Sequence, residues 1–233
     1  MMNNRDAFLA NIASQLGREV RHTPQPRPQP INDYAQTRLT ELSLQQRCDA
    51  FIDVASNVML AHCERCSVAE APQAALRLCE RYGRSPTIVS GDERLAQLGI
   101  SELLVRECPA TLWDPSNGGE ANLHLAEQAK VGVVFAEYGL AESGGVVLFS
   151  SAQRGRALSL LPESSIFVLR QSTILPRVAQ LASQLHQQAL RGERMPSCIN
   201  LIGGPSSTAD IELIKVVGVH GPIHAAYLII DDC

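Results

Sequence analysis

The chain has 233 residues, enough to bury a substantial core as one large domain or as a domain with an arm. Its formal charge of −4 gives no basic footprint for nucleic acid. No apolar run approaches the length of about 20 residues that spans a bilayer, and the polar start Met1-Met2-Asn3-Asn4-Arg5-Asp6 lacks a signal-peptide apolar segment, so the expectation is a soluble cytoplasmic protein.

Phe8, Leu9, Ile12 and Leu16 recur at helical spacing over residues 4–18, with Asn3 or Asn4 placed to cap the start. The alternating prolines of residues 23–30 forbid helix and sheet and favour an extended spacer. Residues 1–35 therefore read as a helical arm on a stiff tether, and residues 36–233 as the main domain. The arm cannot bury its apolar face alone, so it docks on its own domain, another copy or a partner.

From about residue 36 a long helical pattern runs through Leu39, Leu42, Leu44, Phe51, Val54 and Val58. Strands are then expected at Thr87-Ile88-Val89, Thr111-Leu112-Trp113, residues 131–136, 146–149, 166–169 and 225–230. Helices are expected at Glu93 to Leu98, Glu120 to Gln128 and Leu175 to Arg191. This alternation describes an α/β fold with a mixed, mostly parallel sheet flanked by helices. The runs 131–136 and 146–149, joined by a glycine-bearing segment, are expected to pair antiparallel. A further apolar run, Cys198 to Ile202, leads through Gly203-Gly204-Pro205 into the amphipathic run from Ile211 to Val216, which reads as strand, glycine turn and helix start.

The chemistry belongs in the polar turns between buried strands. At a helix start, Gly204, Ser206, Ser207, Thr208 and Asp210 would offer amides and hydroxyls to an anion, or simply cap the helix. In the turn from Ala136 to Gly145, Glu137 and Glu142 lie between apolar strands, and Glu142 with Ser143, Gly144 and Gly145 is the stronger candidate for acid, base or nucleophile work. The segment Gln153-Arg154-Gly155-Arg156 places two guanidiniums around a glycine, which can grip a carboxylate or phosphate or, as the residues alone favour, be exposed loop charges. His220, between Gly218 and Gly221, is the candidate proton carrier. His62, His124 and His186 are assigned to helical segments and to packing or surface roles.

Seven scattered cysteines include one Cys-x-x-Cys, Cys63 and Cys66, with no second pair at zinc or iron–sulfur spacing, so no metal and no cluster is expected in this chain. Only two lysines occur, Lys130 and Lys215, and neither sits in a phosphate-binding glycine loop. No Gly-x-Gly-x-x-Gly fingerprint appears either, so a standard nucleotide triphosphatase or dinucleotide dehydrogenase is not expected.

Four segments carry a resemblance when taken in order: Glu142-Ser143-Gly144-Gly145-Val146-Val147-Leu148, Arg156-Ala157-Leu158-Ser159-Leu160-Leu161-Pro162-Glu163, Gly204-Pro205-Ser206-Ser207-Thr208-Ala209-Asp210-Ile211-Glu212 and Gly218-Val219-His220-Gly221-Pro222. Over roughly residues 45–233 the chain resembles the LUD domain family, and within it the small members that hold no cluster. Ser207 stands where family members commonly carry Arg, which leaves Arg156 to supply the cation. Gly145 replaces a frequent hydroxyl residue. The resemblance implies a fold like the ribose-phosphate isomerase, glucosamine-phosphate isomerase and CoA-transferase group. It also implies a place in an L-lactate oxidation system that yields pyruvate, beside two partner proteins with iron–sulfur clusters. It supplies no catalytic residue, so the site residues above rest on local chemistry.

Three readings follow. The chain is a cofactor-free subunit of such a system, holding a small carboxylate or assembling the iron–sulfur partners. Alternatively it is a CoA-transferase-like enzyme with Glu142 as the nucleophile and glycine amides at the oxyanion. A third reading is a pure scaffold whose arm binds partners.

Overall fold

The computed structural model describes residues 4–23, 25–210 and 212–233, in two compact units, Met1–Asp33 and Tyr34–Cys233. In the first unit, helix α1 (Asn4–Gln15) begins at Asn4 itself, so Asn4 is not its cap, and Asn3 lies outside the described residues. Phe8 and Leu16 of the expected apolar stripe are exposed. Residues 25–30 carry no regular structure, and Pro24 lies outside the described residues.

The second unit opens with two separate helices, α2 (Tyr34–Thr37) and α3 (Leu44–Asn57), where the apolar spacing alone reads as one. Leu39 takes φ +63°, which a helix cannot contain, and Ser43 starts α3 afresh through a capping box with Gln46. Strand β1 (His62–Ser67) follows, then α4 (Ala71–Arg81), β2 (Thr87–Val89), α5 (Glu93–Gln97), α6 (Ile100–Glu107), β3 (Thr111–Leu112), α7 (Gly119–Gln128) and β4 (Val131–Phe135). After it come β5 (Tyr138–Leu140), β6 (Gly145–Phe149), α8 (Ala157–Leu160), β7 (Ser164–Arg170), β8 (Ile174–Leu175), α9 (Val178–Leu190), β9 (Ile199–Ile202), β10 (Ser207–Thr208), β11 (Val216–Val217) and β12 (His224–Asp231).

Six strands form one parallel sheet in the order β1-β12-β7-β4-β2-β3. Successive residues face opposite sides. Val133, Phe135, Ile166, Val168, Leu228 and Ile230 pack on α4, α5 and α6, while Ile88, Val134, Phe167, Tyr227 and Ile229 meet α3, α7, α8 and the second sheet. Burial on both faces is why β4, β7 and β12 read as unbroken apolar runs. β1 is the exception. Its sequence His-Cys-Glu-Arg-Cys-Ser pairs on one side only, at the sheet edge, so its polar content hides it as a strand. His62 therefore opens a strand and is not on a helix.

The second sheet, β8-β5-β6-β9, is mixed, and α9 covers its far face through Leu181 and Leu185 against Leu140 and Val147. The two runs expected to pair, β4 and β6, are instead in different sheets, and β6 pairs with the short β5 that the sequence does not announce. α8 joins the layers. It lies so close to β4 that a Cβ on Gly132 would overlap the Leu158 carbonyl oxygen and meet Pro162 Cγ at 2.8 Å. Gly132→Ala should therefore cost about 2 kcal/mol, read as a lower urea midpoint at unchanged slope, with the circular dichroism of the native state retained.

Candidate functional site

The chain leaving β9 at Gly203 does not start a helix. It forms β10, which pairs antiparallel with β11, and Glu212 and Leu213 in the connection take φ +54° and +58°. Ile211 lies outside the described residues. Residues 212–215 lie in the connection, with Leu213 and Ile214 exposed, and Val216 enters β11, so among the described residues this turn carries no helix N-terminus to attract an anion. What holds the turn is one buried phenol. Gly204 N–H donates to Tyr227 Oη at 2.8 Å, and the Tyr227 hydroxyl donates in turn to the Ile202 carbonyl at 3.4 Å. The Tyr227 ring stacks on Phe51 and meets Phe167 edge-on, which fixes its reach. Gly204 must lack a side chain, because at φ +67° its Cβ would overlap the Met59 carbonyl oxygen. Ser206 N–H donates to the Pro222 carbonyl at 2.9 Å, tying this turn to the one that carries His220.

Between these turns and the main sheet lies a cleft of about 400 Å³, lined by Ser159, Ser165, Ser206, Ser207 and His220 with Phe167, Ile202 and Pro222. No carboxylate lines it. Gly204 and Gly221 complete its wall. Thr208 and Asp210 are not part of it; they bond each other, Thr208 Oγ1 donating to Asp210 Oδ2 at 2.7 Å, on the outside of the hairpin.

Arg156 is the N-cap residue of α8 and lines a smaller pocket with Ser90, Ser150, Arg154, Ser159 and Asn200, again with no carboxylate among the described lining residues. Ser159 belongs to both cavities. Behind this pocket is an ionic knot that local sequence does not reveal. Arg94 donates from Nε and Nη2 to Asp92 at 2.9 and 2.6 Å, and from Nη1 and Nη2 to Glu137 at 2.7 and 2.8 Å. Its guanidinium lies over the Phe135 ring, 4.3 Å from the centroid. Arg154 pairs with Glu137 as well. Burial raises the Asp92 carboxyl, but the hydrogen bonds and charge of Arg94 outweigh it and hold Asp92 below the usual carboxylate range.

Glu142 is elsewhere. Its Oε2 accepts from Arg177 Nε at 2.6 Å and its Oε1 sits 3.4 Å from Arg38 Nε, and it lines neither cavity. A role as nucleophile would first require breaking the pair with Arg177. Ser143 is exposed in the same turn, Gly144 at φ +61° presses its backbone on Ala55 of α3, and Gly145 faces the Ile202 carbonyl. The four polar turns thus do not converge as the sequence invites. Gly204, Ser206, Ser207 and His220 come together, Arg156 adjoins them across α8, and Glu142, Thr208 and Asp210 stay apart.

Cys66 is buried and its thiol is pushed up to about 11 by burial, which keeps it protonated at neutral pH. Among the described residues no group of three or more His, Cys, Asp or Glu side chains is arranged to hold a metal ion, and no helix is long and apolar enough to cross a membrane.

The LUD domain family matches residues 51–230. Relatives align along their full lengths. The uncharacterized protein YkgG of Escherichia coli (strain K12) is 66% identical, with all of both chains covered. Lactate utilization protein C of Geobacillus kaustophilus is 42% identical, covering 99% of this chain and 98% of that one, and the protein of the same name from Bacillus subtilis (strain 168) is 37% identical over 99% and 98%. Among solved structures, a DUF162 family protein from Deinococcus radiodurans superposes with a TM-score of 0.56 at 21% identity, covering 81% of this chain and 99% of that one, a likeness of fold.

Tyr227→Phe leaves the Gly204 N–H without its acceptor and should cost about 1–3 kcal/mol in chemical denaturation. Burial raises the Tyr227 phenol above its ordinary 10, whereas the unfolded chain ionises there. The stability it contributes is therefore complete below pH 10 and declines as pH rises past it, and that part of the alkaline decline should vanish in Tyr227→Phe.

Proposed function

The chain belongs to the LUD domain family, and from that premise we propose that it is the non-redox, ligand-holding component of a lactate utilization system. Full-length relatives bearing that name support the system. The observation that carries the ligand-holding role is the pair of cavities that share Ser159 of α8, one lined by hydroxyls and the His220 imidazole, the other by Arg154, Arg156 and further hydroxyls, with no carboxylate among the described lining residues of either. Such a lining offers several hydrogen-bond donors to an anion.

Taking two electrons from a 2-hydroxy acid requires an electron acceptor, and side chains of these types do not provide one. Cytoplasmic partners carrying iron–sulfur clusters do that work in this reading. The present chain holds a small carboxylate ligand and needs no cofactor of its own. His220 on the cleft wall is the group suited to accept or return a proton beside the bound molecule.

The purified protein should contain neither iron nor flavin by metal analysis and absorption, and should not oxidise L-lactate alone. Deleting its gene should abolish growth on L-lactate, and tagged protein should co-purify iron–sulfur proteins. Stoichiometric iron or flavin, or undiminished growth of the deletion strain, would reject the reading.

A further inference from the structure

We infer that the Arg154–Arg156 pocket binds the carboxylate group of a small monoanionic acid and discriminates against dianions. The inference deepens the function proposed above and rests on it for the natural ligand, though not for the binding.

The position is the first argument. β2 and β4 are neighbours in the parallel sheet, yet the chain leaves β2 for α5 and α6 on one face and leaves β4 for the second sheet on the other. The crevice outside the carboxyl ends of two such strands is where open α/β sheets receive ligands. Ser90 and Phe135, at those ends, line this pocket.

The second argument is preorganisation. The loop bearing both arginines is fastened at its backbone. Trp113 Nε1 donates to the Ala152 carbonyl at 2.8 Å and Gly91 N–H to the Gln153 carbonyl at 3.1 Å. A Cβ on Gly155 would run into the Trp113 indole. Opposite the loop, Asn200 of β9 also lines the pocket, its Oδ1 accepting from Cys198 Sγ, and its amide group is a further donor type for an anion.

Charge and size name the ligand. Asp92 and Glu137 oppose Arg94 and Arg154, while Arg156 makes no ion pair among the described residues. The assembly therefore carries one net positive charge, which one carboxylate neutralises. A second negative charge would find no further unpaired cation in the assembly, with the paired carboxylates Asp92 and Glu137 beyond the pocket wall. The pocket proper is small, with room for about 20 Å³, so it suits the head of a small acid and not its body. The body of the acid has the larger cleft beside it, across Ser159.

Trp113 is the single tryptophan of the chain and packs on Gly155 between the two arginines, so its emission reports on the pocket. Full-length protein is titrated with acetate, L-lactate and malonate, followed by Trp113 fluorescence and by calorimetry. Acetate and L-lactate should saturate, and malonate should bind at least about tenfold more weakly. Arg156→Gln should weaken acetate and L-lactate by about tenfold or more, whereas Arg191→Gln, an equal charge change at a surface pair, should not. Glu137→Gln should narrow or reverse the preference over malonate; if that variant does not fold by circular dichroism, Arg154→Gln, which cancels the net charge, should lose both acids. Equal binding of malonate, unchanged titrations in Arg156→Gln, or no response to any monocarboxylate would overturn the inference. Growth on L-lactate that requires the gene, with no binding here, would sink this inference alone. Binding here, with growth that does not require the gene, would sink the proposed function alone.

Discussion

A single hydroxyl sets where the two halves of the second unit meet. Tyr227 belongs to the parallel sheet, but its oxygen lies under the last turn of the mixed sheet, accepting from Gly204 N–H and donating to Ile202. In an interior of apolar side chains each of those polar groups would be costly without its partner. The rings of Phe51 and Phe167 leave the phenol one orientation. The turn carrying Ser206 and Ser207 is therefore placed by the main sheet, and through Ser206 so is the turn carrying His220. α8 is the other fixed point, held against the side-chain-free Gly132. Both cavities lie beside these two contacts and share Ser159 of α8.

Much of this was legible in the residues. β4, β7 and β12 are buried on both faces and announce themselves as apolar runs, and the polar glycine turns between strands mark where a site can be. The run from Ile211 to Val216 was not decidable locally, since its apolar spacing suits a hairpin as well as a helix. Residues 36–58 mislead for a related reason: the apolar period continues across Leu39 while the backbone does not. β1 hides because an edge strand need not be apolar.

The parts of the site that the sequence concealed are those made by distant residues. Glu137 meets Arg94 and Arg154, and Trp113 meets Gly155, at separations no spacing rule spans. Glu142 shows the converse. Its neighbours Ser143, Gly144 and Gly145 give it the look of a reactive turn, yet Arg177 and Arg38 engage its carboxylate, Gly144 packs closely on α3 and Gly145 faces the Ile202 carbonyl of β9. That Arg156, unlike Arg94 and Arg154, makes no ion pair among the described residues becomes visible only once the partners are placed.

The account stands on a carboxylate being held between the sheets beside α8. A crystal structure of the protein saturated with L-lactate or pyruvate examines that directly. Carboxylate oxygens should appear about 3 Å from the Arg156 guanidinium and Asn200 Nδ2, with the rest of the molecule toward Ser159. Density at Glu142 and Arg177 instead, or an empty pocket under saturating ligand, would contradict it.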